Sequence, residues 1–323
     1  MVVNQILEHI QLLVLPTQNN TFRLFEYPNK PHAIFYGIDS DSNPVFIIPS
    51  FHPKMSHHRQ YTKKLAFDSN LKCELIINGV SSEITVHALT CFSAERDERI
   101  AFIRLTAAFS NLLSSDKPHI MNELFSDLKN LFSQDGTSSD KELQGLYSEL
   151  FVIYYFQEQG INLCNYWQKQ SKLNFDFSIS KSKRIEVKST TRSERIHHFK
   201  HEQLLSDLYD IIIISVLLRK DDEGLSLFSL IEYIRGIISQ DFRTLLYIDR
   251  FIKNIPDIAL HEFRYDETYS SEHIRFFHAD NIPKFEKVQP DGVSHAEYDS
   301  DLTSAANLTG NEMLSWISLI GGE

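Results

Sequence analysis

Two short runs carry side chains that could do chemistry together: Asn174-Phe-Asp-Phe-Ser178 and Arg184-Ile-Glu-Val-Lys188. In an extended strand, alternate side chains share a face. Phe175 and Phe177 then point one way and Asp176 the other. Ile185 and Val187 face a core, while Glu186 and Lys188 project together from the opposite side. On adjacent strands, Asp176, Glu186 and Lys188 would meet. Two carboxylates suit a hard divalent cation such as Mg²⁺, with Mn²⁺ as an alternative. The carbonyl of Val187, between the two active side chains, is an additional candidate ligand. Such a cation polarises a phosphate and lowers the pKa of water, and a neighbouring Lys can stabilise the charge developing on phosphorus. The grouping therefore suits phosphodiester hydrolysis. The same residues could instead form an ordinary ion pair on a solvated strand face.

A third carboxylate comes from the run Gly145-Leu-Tyr-Ser-Glu149-Leu-Phe-Val-Ile-Tyr154. On a helix, Glu149 has Val152 and Ile153 at i+3 and i+4. A carboxylate on a largely apolar face is costly unless it has a partner, and a bound cation or Lys188 would serve. The alternative is a helix-edge Glu in water. The acid-x-Lys spacing also occurs at Asp127-Leu-Lys129, but that run is helical and puts the two residues on different sides.

The elements that must position these groups can be read around them. Ser133-Gln-Asp-Gly-Thr-Ser-Ser-Asp140 reads as a linker ending in an N-cap. A helix is predicted from Lys141 to Gln159, with Gly160 as its stop. Strands follow at Leu173–Ser180 and Arg184–Ser189, then a short helix near Lys200–Asp207 and strands at Leu208–Leu218 and Leu225–Leu230. Residues 231–252 read as helical, and the acidic tail beyond Pro256 as irregular. Upstream, Phe22–Phe25, Ala33–Gly37, Val45–Ile48, Cys73–Asn78 and Ser82–Leu89 read as strands. The turn Asp39–Pro44 and Gly79 are connections. From Asp97 to Phe132 the apolar spacing is helical. The domain boundaries expected are a β-rich module over 1–95, a helical connector over 96–140, a catalytic core over 141–255 and an acidic extension over 256–323.

At 323 residues with 42 % hydrophobic and 23 % charged side chains, the chain has ordinary globular composition. The net charge of −11 argues against a uniformly basic nucleic-acid binder. Residues 141–220, however, carry 12 Lys/Arg against 9 Asp/Glu, while the remainder carries 20 against 34. Cys73, Cys91 and Cys164 have no metal-ligand spacing, and a reducing cytoplasm is the expected setting. Met1–Leu15 is too short and too polar for a membrane span. Neither a Walker A string nor a serine-nucleophile elbow is present.

The helix bearing Glu149, the strand Asp176 and the Glu186-Val-Lys188 strand resemble the PD-(D/E)XK nuclease superfamily. More closely, Gly145–Glu149, Asp176–Ser178, Ile185–Thr190 and Glu202–Leu204 are similar to the bacterial PD-(D/E)XK motif proteins. That group is associated with gene neighbourhoods resembling restriction and anti-phage systems. The Gly37–Ile48 hairpin also resembles its N-terminal module. Phe175 stands where the name of the motif places Pro. The resemblance implies an α/β (α+β) restriction-endonuclease-like mixed β-sheet flanked by helices. It implies Asp176 and Glu186 as metal ligands, Lys188 as catalytic, Glu149 as a supporting acid and Gln203 lining the site.

Arg192, Arg195 and Lys200, with His197, His198 and His201, form a dense polar stretch that could be a phosphate-contacting loop. It could equally be a loop with no ligand. His57-His58-Arg59 is read as a loop that could contact DNA, a partner or nothing. The expected partner is DNA, with protein partners from a defence operon and a homodimer as further candidates. A different class of function is also open: a nuclease-fold subunit without activity, serving as scaffold or DNA-binding platform.

Overall fold

The computed structural model describes residues 2–318 apart from 17, 19, 20, 29, 31, 78, 79, 114–119, 135, 169–174, 206 and 286–294. By internal contacts the chain divides into two units, residues 1–136 with 238–253, and residues 137–237 with 254–323.

The first unit opens with α1 (Val2–Gln11), then β1 (Arg23–Glu26), β2 (Phe35–Ile38), β3 (Pro44–Pro49), β4 (His58–Tyr61), β5 (Leu65–Ile77) and β6 (Val80–Cys91). These strands make one antiparallel sheet in the order β1-β2-β3-β6-β5-β4. In β3, Val45, Phe46, Ile47 and Ile48 are all buried, as expected of a central strand covered on both faces. The β2–β3 turn closes because the Asp39 carboxylate accepts from the amides of Asp41 and Asn43 at 2.9 and 2.8 Å. One face of the sheet holds Phe35, Val45, Ile47, Val86 and Ala88. Tyr36, on the other face, donates its hydroxyl to Thr106 of α2 (Arg96–Phe109) at 3.3 Å. α3 (Ile120–Phe132) follows. His57–Arg59 is not simply a loop: His58 and Arg59 begin β4. The Gly79 turn lies outside the described residues.

The second unit starts at α4 (Asp140–Gln157). Its capping box is complete: the Ser139 hydroxyl accepts from the Glu142 amide, and the Glu142 carboxylate accepts from the Ser139 amide. Gly160 takes the left-handed conformation at φ +80° and ends the helix. Then come β7 (Phe177–Ser178), β8 (Lys183–Thr190), β9 (Ile196–Lys200), a 3-10 turn at His201–Gln203, β10 (Asp210–Leu217) and β11 (Lys220–Ser226). Leu173 and Asn174, read as the start of a strand, lie outside the described residues.

Leu225–Leu230 is not one strand: β11 stops at Ser226 and α5 (Leu227–Ile237) begins at Leu227. The helical stretch 231–252 is likewise two helices, since Asp241 caps a fresh start at α6 (Phe242–Phe251), accepting from the Thr244 amide at 3.1 Å. α6 packs on α2 and α3 in the first unit, although its sequence position suggested the catalytic core.

The tail is not irregular. It forms α7 (Asp257–Glu262), β12 (Arg264–Tyr265), α8 (Glu267–Glu272), β13 (Arg275–His278), β14 (Glu297–Asp301) and α9 (Gly310–Ser318). The central sheet runs β13-β10-β8-β7, with β10 and β8 parallel and the outer pairs antiparallel. α4 packs on β8 and α5. β14 pairs with β9 along five residues, from Glu297↔Lys200 to Asp301↔Ile196. Leu302 joins Phe199, Leu204, Ile211, Ile213 and Phe277 in one buried cluster. Residues after 256 thus complete both the sheet and the core of this unit. The architecture is the mixed α/β one expected of a PD-(D/E)XK-like α+β fold.

Candidate active site

β8 supplies the site because its alternation is strict where it counts. Ile185 is aligned with Phe177 across the antiparallel pair, and Ile213 on β10 is aligned with Glu186. Glu186 therefore shares a sheet face with Ile213 and the Phe199 cluster and is only 5 % exposed. Asp176 stands one residue before β7 and extends the ladder. Its amide donates to the Ile185 carbonyl at 3.1 Å, and its Oδ2 accepts from the Val187 amide at 2.7 Å. N–H and C=O of one strand residue lie on the same edge, so the Val187 carbonyl is also on the Asp176 side.

Glu186 Oε1 accepts from Lys188 Nζ at 2.7 Å and from Gln203 Nε2 at 2.6 Å. Gln203 Oε1 in turn accepts from Lys188 Nζ at 3.3 Å and from the Lys200 amide at 3.0 Å. The ammonium lies 5.2 Å from the centre of the Phe199 ring. Glu149, on α4, accepts from Trp167 Nε1 at 2.6 Å through Oε2. Asp176, Glu186 and Lys188 therefore come together as the alternation required, with Gln203 beside them.

Electrostatically the cluster is unbalanced. Burial pushes Glu149 up to about 7, with the charge of Glu186 adding to the shift against the Trp167 hydrogen bond. Asp176 is held well above the usual carboxylate range by burial and by the charges of Glu186 and Glu149. Burial raises Glu186 as well, in spite of Lys188 and Gln203. Three carboxylates sharing one ammonium cannot all ionise cheaply.

Among the described residues, no group of three or more His, Cys, Asp or Glu side chains is arranged as a finished metal cluster. The donor set that is present is Asp176, Glu186 and the Val187 carbonyl. Neither Asp176 Oδ1 nor Glu186 Oε2 makes a hydrogen bond among the described residues. Oxygen-only donors, few in number and short of positive charge, fit a hard cation that keeps several of its own waters.

The model of the family described as "Putative PD-(D/E)XK family member (DUF4420)" matches residues 11–303. The chain belongs to this family. No curated protein and no solved structure matches it. In this PD-(D/E)XK family member, the matched span runs from α1 through β14 and includes every residue of the site just described.

The basic stretch after β8 is not one loop: Ile196–Lys200 forms β9, and the structure separates its cations. Arg195 is 8 % exposed. Its guanidinium donates to the Ser215 carbonyl at 2.9 Å, to Ser215 Oγ at 2.8 Å and to the His273 carbonyl. It is therefore interior framework, because β9 pleats and puts every second side chain inward. His197 is buried beside it against Ser215 Oγ at 2.8 Å, and burial drives its pKa down to about 4. His198 points outward between Asp299 and Glu297, and His201 meets the Tyr298 hydroxyl. Arg192 and Lys200 are exposed, one on the bend after β8 and one at the end of β9.

Trp167 and Phe199 were not legible as site residues. Trp167 is one of only two tryptophans, which was the one available signal. That it donates to Glu149 depends on a pairing with Phe177 that no local pattern announces.

Proposed function

We propose that the chain is a divalent-metal-dependent endonuclease that hydrolyses DNA phosphodiester bonds. The observation that carries this reading is the convergence of Asp176, Glu186 and Lys188 on adjacent strands, with Glu149 close enough to be perturbed by Glu186. Asp176, Glu186 and the Val187 carbonyl would hold Mg²⁺ or Mn²⁺, which supplies Lewis-acid polarisation of the phosphate and a more acidic water. Lys188 offers an ammonium to the negative charge that develops on phosphorus, and Gln203 fixes both it and Glu186. Glu149, at about 7, is suited to take or give a proton near neutral pH. Arg192 and Lys200, both exposed, are the residues available to position the phosphate backbone.

The resemblance to PD-(D/E)XK motif proteins supports a place as the nuclease subunit of a restriction or anti-phage system, working with protein partners. Cutting both strands of a duplex would take two copies. The rival reading, a nuclease-fold scaffold without activity, draws on the acidic net charge and on the Glu186–Lys188 pair already satisfying itself.

Cleavage of plasmid and phage DNA with Mg²⁺ decides between them. The wild type should cut, while Glu186→Ala and Lys188→Ala should each lose at least about a hundredfold in rate. A wild type inert with every divalent ion, whose melting temperature also ignores Mg²⁺, would leave the scaffold reading standing.

A further inference from the structure

Between Asp41 and Asp68 the chain carries no acidic residue, in a protein whose net charge is −11. Within that interval, residues 52–64 hold Lys54, Arg59, Lys63 and Lys64 together with His52, His57 and His58. The structure puts this segment on the surface of the first unit: residues 52–59, Tyr61 and Lys63 are exposed. β4 is the terminal strand of the six-stranded sheet, so it adds little to the core.

The distribution of charge within the segment is one-sided. Gln60 reaches toward α3, donating to Asn122 Oδ1 at 3.1 Å, so Arg59 and Tyr61 share the opposite strand face. Lys64 is taken up by Glu98 at 2.8 Å. Asp68, largely buried, accepts from His57 at 2.9 Å and lies 3.8 Å from Arg59 Nε. Lys54 and Lys63 form no ion pair with any described residue, and Arg59 keeps more than half of its side chain in water. Beside them Tyr61 is 78 % exposed, with no part in the core. Charge on an edge strand also discourages sheet-to-sheet pairing, but either sign achieves that. A single sign, next to an exposed aromatic ring in an acidic protein, matches a polyanion whose sugars or bases can lie against the ring.

We propose that the β4 edge of the first unit, through Lys54, Arg59, Tyr61 and Lys63, binds the phosphate backbone of nucleic acid. The choice of DNA as the polyanion rests on the nuclease reading; the positive surface does not. Such a surface gives affinity and not sequence readout, because phosphate contacts carry no base information. Three cations on phosphates give log Kd a salt slope of about 3.

The test is anisotropy of a short labelled DNA duplex in EDTA, so that binding is read without cutting, over a range of salt. The Lys54→Glu/Arg59→Glu/Lys63→Glu protein should bind about tenfold more weakly or worse and lose most of the salt slope. A charge-matched control at exposed cations elsewhere, Lys129→Glu/Lys141→Glu/Arg243→Glu, should lose much less. Should the triple variant melt early, Lys54→Gln and Lys63→Gln singly should each remove about one unit of slope. Wild-type binding that is undetectable, a triple variant that binds like the wild type or the control, or polyglutamate competing as well as DNA would each overturn the proposal. The last result would assign the patch to an acidic protein. Plasmid cleavage separates the two readings: a chain that binds DNA through this edge yet never cuts keeps the patch and loses the nuclease.

Discussion

At the scale of single residues, the site is held together by hydrogen bonds that compete with charge repulsion. Asp176 does two jobs, since Oδ2 satisfies the Val187 amide while its charge adds to that of Glu186. Asparagine keeps an acceptor for that amide and alanine does not. Asp176→Asn should therefore melt at least as high as the wild type in EDTA, whereas Asp176→Ala should lose about 1–3 kcal/mol for the orphaned N–H. Both should lose cleavage and the Mg²⁺-dependent rise in melting temperature. Equal melting of the two variants would mean that the amide finds another partner.

Glu149 gives a pH signature. Its folded pKa of about 7 lies above the usual 4.5, so between those values the folded state binds more protons than the unfolded one. Stability is then present below about 4.5 and lost as pH rises through 7, by up to on the order of 3 kcal/mol. The metal-free protein should melt progressively lower from pH 5 to 8, and Glu149→Gln should reduce that decline, the raised Asp176 and Glu186 keeping the remainder. A decline unchanged in the variant would place the responsible group elsewhere.

At the scale of elements, α4 and β8 were legible because each carries its own signals. Ser139 and Glu142 cap the helix, Gly160 stops it, and the Ile185/Val187 alternation fixes which way Glu186 and Lys188 point. The tail was not legible for the opposite reason. Glu297-Tyr-Asp-Ser-Asp301 has almost no apolar alternation, and it is a strand because β9 offers Lys200 and His198 opposite Glu297 and Asp299. Arg195 likewise read as a surface cation, since its fate is decided by Ser215 on another strand. Trp167 shows how such a pairing acts on function. Its backbone bridges to that of Phe177 while its N–H donates to Glu149 and favours the ionised form. Trp167→Phe keeps most of the packing and removes the donor, so the Glu149 pKa should rise further. A hydrogen bond to a charged group contributes roughly 1.5–3 kcal/mol, equivalent to about one to two pH units. The pH at half-maximal cleavage should move upward by about that much, and Trp167→His, which restores a ring N–H, should bring part of it back. A pH profile that stays put while the rate falls would make Trp167 a packing residue only.

At the scale of the whole molecule, the two units are not two consecutive stretches of chain. α6 is encoded after β7–β11, the strands of the second unit, yet it completes the first unit. Arg104 donates to Asp249 at 2.5 Å, Arg250 to Asp127 at 3.0 Å, and Lys253 joins Lys64 on the buried Glu98. Phe109 meets Phe242 edge-on with ring centres 5.2 Å apart. A fragment ending at residue 136 would keep the six-stranded sheet, α2 and α3, but lose every one of those contacts. Arg104 would lose Asp249, and Glu98 would lose Lys253 while keeping Lys64 and Ser93. Removing one partner of a buried pair costs about 3–5 kcal/mol, and a domain holds only about 5–15 in all. The fragment 1–136 should therefore show no cooperative thermal transition, although the tight β5–β6 pairing is intact. Adding the 238–253 peptide in trans should restore a transition whose midpoint rises with peptide concentration, because the peptide binds the folded state alone. A fragment that melts sharply without the peptide would show that the sheet and its two helices carry the unit, and that α6 only rests against it.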